Sequence, residues 1–143
     1  MTARAALHAE CLVPGLASGR LACLSAPLSL WGGFDLDSGR VCDVNHPDRG
    51  MQIAGRIIAM PGGRGSSSSS SVLLESARLG SNPLAIILTE RDPILVVGAL
   101  VANDLYGVSI PIVCVSPGNL PELAGLSSVR IAAATGNACI EPF

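Results

Sequence analysis

The sequence predicts an α/β domain, and three observations point to that fold class. Short apolar stretches broken by Pro and Gly fill the first half, a pattern typical of strands. In the second half, helical patterns alternate with apolar runs, which predicts parallel strands covered by helices. The 143 residues are 49% hydrophobic and 14% charged, which is enough for a core and too little charge for a disordered chain. We expect a single domain over residues 1–143.

The first half predicts mainly strands. Three stretches indicate short strands: LHAECLVPG, GRLACLS and APLSLWGGFD. The stretch DLDSGRVCDVNHPDRG indicates a turn, a short strand and a polar loop. A further strand is predicted from Ile57 to Met60, because this apolar run stops at Pro61, which cannot donate to a sheet ladder.

The second half begins with a predicted helix, SVLLESARLG, of about three turns. Val72, Leu73, Ala77 and Leu79 are expected to face the core, and Gly80 suits the left-handed position that ends a helix. The next stretch, PLAIILTE, is continuously apolar, which predicts a strand buried on both faces.

A second helix is predicted for DPILVVGALVANDLYG, with Asp92 as N-cap, Pro93 in the first turn and Gly107 at the end. Three elements are then expected: a buried strand in IPIVCVS, a short helix or turn in LPELAGL, and a closing strand in SSVRIAAA. The second half therefore alternates helix and strand.

Charge and hydropathy argue against nucleic acid and membranes as partners. The net charge is −2 and the nine basic residues are all arginine, so no basic patch typical of nucleic-acid binding is expected. The longest apolar run, from Ile94 to Ala102, is too short for a bilayer, which needs about 20 residues. The first residues, MTARAALHAECLVPG, lack the apolar core of a signal peptide. We expect a cytoplasmic protein.

The five cysteines do not predict a metal site on this chain. Their number is odd, and no two form a C-x-x-C pair. The expected state is buried free thiols in a reducing compartment. The cysteines are Cys11, Cys23, Cys42, Cys114 and Cys139.

The serine run from Ser66 to Ser71 allows two interpretations. A Gly/Ser stretch taken alone is typical of a flexible linker. This run, however, lies between an apolar strand and an amphipathic helix, with Gly63, Arg64 and Gly65 before it. Glycines let the backbone approach a ligand, the first N–H groups of a helix have no internal partner, and arginine binds carboxylates and phosphates. The order strand, glycine, serine, helix therefore favours a small-anion site.

This loop, GGRGSSSSS, carries a family resemblance together with LSLWGGFDLDSGRVCDVNHP upstream and DPILVVGALVA downstream. From about Val13 to Pro117 the chain resembles the small subunit of aconitase X, the swivelling-domain part of a group of hydro-lyases. The resemblance implies a swivelling β/β/α three-layer domain. The loop is similar to the Gly-x-Gly-Ser-Ser turn of aconitase, where an arginine follows the serine pair; here that position is Ser68.

The resemblance also implies site residues. Ser66, the first serine after Gly65, matches the catalytic base, and Ser67 and Ser68 would bind substrate oxygens. Gly65 and Arg64 would complete the substrate-binding loop, with Arg64 in a role related to that of the missing arginine.

The implied reaction is a dehydration that needs a second subunit. An iron–sulfur cluster is expected on the aconitase X large subunit, the expected partner, and no metal ligand is expected on this chain. The implied substrate is cis-3-hydroxy-L-proline, giving pyrroline-2-carboxylate; a lysine-free, alanine-rich composition is typical of GC-rich bacteria and favours it. The alternatives are mevalonate 5-phosphate as substrate, or a non-catalytic anion-binding domain with the swivel fold.

Trp31 and His46 are secondary candidates. Trp31, the single tryptophan, is expected to pack in the core or at a subunit interface rather than line the cleft. His46 lies in a polar loop, NHPDRG, where a solvated or turn-satisfied side chain is expected rather than a proton donor.

Overall fold

A closed barrel of seven strands forms the centre of the computed structural model, which describes residues 6–143. Around the barrel the strands follow the order β1, β7, β6, β5, β2, β8, β9. The barrel strands are β1 (Leu7–Val13), β2 (Gly15–Cys23), β5 (Ile57–Ala59), β6 (Ala85–Leu88), β7 (Ile112–Cys114), β8 (Ser128–Ala134) and β9 (Asn137–Pro142). A separate hairpin pairs β3 (Phe34–Asp35) with β4 (Arg40–Val41).

The barrel has a parallel side and an antiparallel side. Strands β2, β5, β6 and β7 run parallel to their neighbours along one side. Strands β2, β8, β9 and β1 pair antiparallel along the other, and β1 closes the barrel against β7. The helices are α1 (Leu30–Gly33), α2 (Ser69–Leu79), α3 (Pro93–Tyr106) and α4 (Leu120–Ala124), with a 3₁₀ turn at Pro117–Asn119.

Alternating side chains of the parallel strands divide the core in two. Ile57 and Ala59 of β5 point into the barrel, where they meet residues of β8 and β9 such as Ile131. Ile58 and the following Met60 point outward, into a second cluster that includes Leu73 of α2 and Leu95 of α3. Helices therefore cover the parallel side, and the predicted α/β fold with three β/β/α layers is confirmed.

The start of α3 and the ends of both long helices lie where their local sequence predicts. Asp92 caps α3, since its Oδ1 accepts the N–H groups of Ile94 at 3.0 Å and Leu95 at 3.2 Å. Gly80 and Gly107 end α2 and α3 in the left-handed conformation, with φ of 79° and 66°.

Four details differ from the predictions. The stretch 26–33 is irregular around the single turn α1 and reaches a strand only at β3, because Gly32 takes a φ of 81°. A strand that was not predicted, β9, follows β8. Leu79 is 47% exposed rather than buried, since it is the last residue of α2. Helix α2 begins at Ser69, two residues before the predicted start at Ser71. Within residues 6–143, no helix has the length and apolar character that crossing a membrane requires.

Candidate functional site

A cleft of about 310 Å³ opens where the loops after β5 and β6 meet. The first loop contributes residues 63–66 and the second residues 90–93, with the start of α3 behind them. Thr89 joins the two loops, since its Oγ1 donates to the Pro61 carbonyl at 2.5 Å. Neighbouring parallel strands end at the same edge of a sheet, and this edge is where α/β folds commonly bind ligands.

The serine run is an ordered turn that leads into α2. The Ser66 Oγ accepts a hydrogen bond from the Ser68 N–H at 3.0 Å, and the Ser66 carbonyl accepts one from the Ser69 N–H at 3.1 Å. A side chain that bonds the backbone two residues ahead holds a turn in shape. Ser66 lies on the cleft wall at the start of this turn, and the linker interpretation is wrong.

Two glycines of the loop are required by close contacts. Gly65 has a φ of 91°, and a Cβ there would lie 2.5 Å from the Ser29 Oγ. A Cβ on Gly63 would collide with the Asp92 carboxylate. A larger residue would strain the left-handed backbone at Gly65 and would push the Asp92 side chain aside at Gly63, so the glycines let the loop backbone approach its neighbours closely.

The loop presents unpaired donors. Among residues 6–143, no acceptor lies within hydrogen-bond geometry of the backbone N–H groups of Gly65, Ser66 and Ser67. Arg64 is exposed on the cleft wall and makes no ion pair with a carboxylate of the described chain. Unpaired N–H groups beside a guanidinium form a positive, donor-rich surface suited to an anion.

The structure divides the serines that the sequence could not distinguish. Ser67 and Ser68 are exposed and do not belong to the cleft wall, so their substrate-binding role stays a prediction. Ser69 is buried, lines the cleft, and accepts the Trp31 N–H on its Oγ at 3.3 Å. Ser70 links α2 to α3, because its Oγ donates a hydrogen bond to the Ile94 carbonyl at 2.5 Å.

The opposite wall carries charged residues that sequence reasoning did not assign to the site: Glu90, Arg91 and Asp92. Asp92 is occupied as the cap of α3. Arg91 binds both carboxylate oxygens of Glu10 on β1, and this guanidinium lowers the pKa of Glu10. The sequence offered one signal for this wall. These three residues directly follow a buried strand, as the serine turn does, and neighbouring parallel strands end at the same edge of a sheet.

Trp31 and His46 have defined surroundings. The Trp31 side chain is 60% exposed, so the expectation of core packing is wrong, and contact with a partner stays a prediction. His46 is buried; its Nδ1 accepts the Asp48 N–H at 3.0 Å, which leaves the proton on Nε2 to donate to the Ala26 carbonyl at 3.1 Å. This is the turn-satisfied state that the sequence predicted.

The cysteines are free thiols; four are half-buried and Cys42 is exposed, so the expectation that they are buried is wrong. Burial raises the pKa of the Cys11, Cys23 and Cys114 thiols, which favours their protonated form. In the part of the chain described, no three His, Cys, Asp or Glu side chains are grouped so that they could hold a metal ion. These residues do not fit the ligand set of an iron–sulfur cluster.

Residues 6–140 match the sequence-family model of the aconitase X swivel domain. The chain belongs to this family. It is 46% identical over 130 residues to a cis-3-hydroxy-L-proline dehydratase of Pseudomonas aeruginosa, covering 87% of this chain and 22% of the relative. It is 38% identical over 99 residues to a phosphomevalonate dehydratase small subunit of Methanothermobacter thermautotrophicus, covering 68% and 76% of the two chains.

The solved structures agree with this family. An aconitase X of Thermococcus kodakaraensis in its holo form superposes on the swivel domain with a TM-score of 0.80 and 31% identity, over 96% of this chain and 98% of that one. This chain is much shorter than the two cis-3-hydroxy-L-proline dehydratases reported as similar. Its matched region spans 22% and 20% of their lengths.

Proposed function

We propose that this swivel domain supplies the base-bearing half of a hydro-lyase site that dehydrates cis-3-hydroxy-L-proline to pyrroline-2-carboxylate. The observation that carries the proposal is the position of Ser66, which lies on the cleft wall with the Ser68 N–H directed at its Oγ. The similarity to a dehydratase named for this substrate supports the choice of substrate.

Ser66 takes the proton in the proposed mechanism. A serine hydroxyl is a weak acid, so its alkoxide needs stabilisation. The Ser68 N–H already donates to the oxygen that would carry the negative charge, and a donor to the charged form favours it. The alkoxide removes the proton from the ring carbon that bears the carboxylate, and the hydroxyl leaves from the next carbon, so that the net loss is one water.

The remaining groups of the loop bind the substrate. Arg64 and the free N–H groups of Gly65 and Ser67 hold its negative charge, and Ser67 and Ser68 supply hydroxyls. We assign departure of the hydroxyl, and the iron–sulfur cluster expected for it, to an aconitase X large subunit. The described side chains of this chain do not fit the ligand set of that cluster.

The direct test is production of the full chain with the large aconitase X protein of the same genome, followed by a dehydration assay. Turnover of cis-3-hydroxy-L-proline by the mixture and by neither protein alone is the expected result. Mass spectrometry of the product detects the loss of one water. No turnover by an iron-loaded complex would reject the proposal.

Mevalonate 5-phosphate is the second candidate, supported by the similarity to phosphomevalonate dehydratase small subunits. A donor-rich loop with a free arginine suits a phosphate as well as a carboxylate. Parallel assays with both compounds separate the two reactions. A complex that binds either compound without converting it would instead identify a non-catalytic anion-binding domain.

A further inference from the structure

Arg91 lines the cleft wall opposite the serine turn and forms a forked ion pair with Glu10, which lies outside that wall. The Arg91 Nε donates to one carboxylate oxygen of Glu10 and its Nη2 to the other, both at 2.6 Å. The two residues are 81 positions apart in the chain, one on β1 and one in the loop before α3. Such two-point binding is the geometry in which a guanidinium binds any carboxylate.

The pair has little to contribute to folding. The Arg91 side chain is 73% exposed and that of Glu10 is 44% exposed. Ion pairs in this setting stabilise proteins weakly, because water and salt screen the charges. Since Arg91 also lines the cleft, its position is better explained by what enters the cleft than by the stability of the barrel.

The other charged groups of this wall do not provide a carboxylate site. Asp92 is negative and holds the N–H groups of α3, and Glu90 is negative and lies over Gly62, where a Cβ would come 2.5 Å from its Oε1. Arg91 is the single cation of the wall formed by residues 90–95. On this wall, Arg91 is therefore the one charged group that attracts a ligand carboxylate.

We propose that Arg91 is a specificity-determining residue that binds the substrate carboxylate, and that Glu10 occupies its guanidinium while the cleft is empty. On binding, the ligand carboxylate replaces that of Glu10, so that two charge-assisted hydrogen bonds are broken and two are formed. Arg64 and the free N–H groups of the serine turn contact the same carboxylate from the other wall. This inference rests on the proposed function for the identity of the ligand.

The test uses the assembled complex and compares variants of the pair. Arg91→Gln should raise KM for cis-3-hydroxy-L-proline by about 10- to 100-fold with little change in kcat, as expected for loss of charged hydrogen bonds in ground and transition state alike. Glu10→Gln removes the competing carboxylate and should lower KM, by up to about fivefold. A merely structural pair would give the same direction of change for both variants.

The chain offers a matched control. Arg78 and Glu75 form an ion pair of the same forked type on α2, with side chains 52% and 39% exposed, and neither residue lines the cleft. Glu75→Gln should leave KM and kcat unchanged. If it lowered KM as Glu10→Gln does, the effect would come from net charge, and the inference would be wrong.

A binding measurement separates this inference from the proposed function. Calorimetry with L-proline and L-prolinamide, which differ in the carboxylate, needs no turnover. Arg91→Gln should weaken L-proline and leave L-prolinamide unchanged; equal weakening of both, or of neither, would overturn the role of Arg91. If the wild-type complex binds L-proline through Arg91 and dehydrates neither substrate, the proposed function fails while the inference stands.

Discussion

The N–H of Ser68 is directed at the Oγ of Ser66 across 3.0 Å, so the turn before α2 aims a donor at one hydroxyl of the serine run. The run contains six serines, from Ser66 to Ser71, and two of them accept a backbone N–H on Oγ in the described structure: Ser66 from within the turn, and the buried Ser69 from Trp31. The contact at Ser66 gives a physical reason why one serine of the run should differ from its neighbours in reactivity.

Ser66→Ala should lower kcat by about 10²-fold or more, the range of a positioned proton-transfer group. Ser67→Ala and Ser68→Ala should raise KM more than they lower kcat. Ser71, exposed within α2, provides the control, and Ser71→Ala should be silent. Steady-state kinetics of the assembled complex decide the matter. Near wild-type kcat for Ser66→Ala, with a collapse at Ser67 or Ser68, would move the base along the run.

Asp92→Ala should destabilise the domain by about 1 kcal/mol, because α3 loses the acceptor for two N–H groups. Asp92→Asn keeps an oxygen at the cap and should recover most of that stability and normal kcat. Urea denaturation and kinetics measure the two effects. A stable Asp92→Asn variant without activity would show that the carboxylate takes part in the chemistry rather than in capping.

Gly98→Ala should destabilise the domain by about 1–3 kcal/mol, the usual cost of overpacking. A Cβ at this position of α3 would lie 2.9 Å from the Ser70 carbonyl of α2, so the two helices would have to separate. Gly118→Ala is the control, since a Cβ there meets no atom within 4 Å. Thermal and urea unfolding of both variants test the prediction, and equal stability would contradict it.

Replacement of all five cysteines by serine or alanine should leave the iron of the assembled complex in place. The cost should be confined to packing, a few kcal/mol in total, because several thiols are half-buried. Iron content and visible absorbance are the measurements. If one such change removes the absorbance from a complex that still assembles, the cluster has a ligand on this chain.

Trp31 should report on assembly. Its side chain is 60% exposed, and its backbone N–H is fixed to Ser69 on the cleft wall. A fluorine-labelled tryptophan in this chain alone should give a resonance that shifts when an unlabelled large subunit binds. Trp31→Phe assigns the signal by removing it. An unchanged resonance in a complex seen by gel filtration would place Trp31 away from the interface.

Features set by local sequence were predicted well. The cap at Asp92 and the helix ends at Gly80 and Gly107 depend on residues within one turn of each position. The start of α2 was predicted less well, because identical serines give no signal for where a turn becomes a helix. Helical backbone begins at Ser69, after the turn that Ser66 organises.

Features set by distant residues were missed. Strand β9 ends in Pro142, and its pairing with β1 joins the two ends of the described chain. The contact between Glu10 and Arg91 likewise depends on barrel closure, since it links positions 81 residues apart. Only the assembled sheet brings the second wall of the cleft to the serine turn.

Closure of the barrel also bears on how such a domain can be encoded. Each of the seven barrel strands has a hydrogen-bonded neighbour on both sides, so this domain offers no open barrel edge that another chain must complete. A unit that satisfies its own backbone in this way can fold as a stretch of a longer polypeptide or as a separate gene product. Both arrangements are compatible with the lengths of its relatives, of which this chain spans 22% in one case and 76% in another. Gene fusion and gene fission would then leave the architecture of the cleft unchanged.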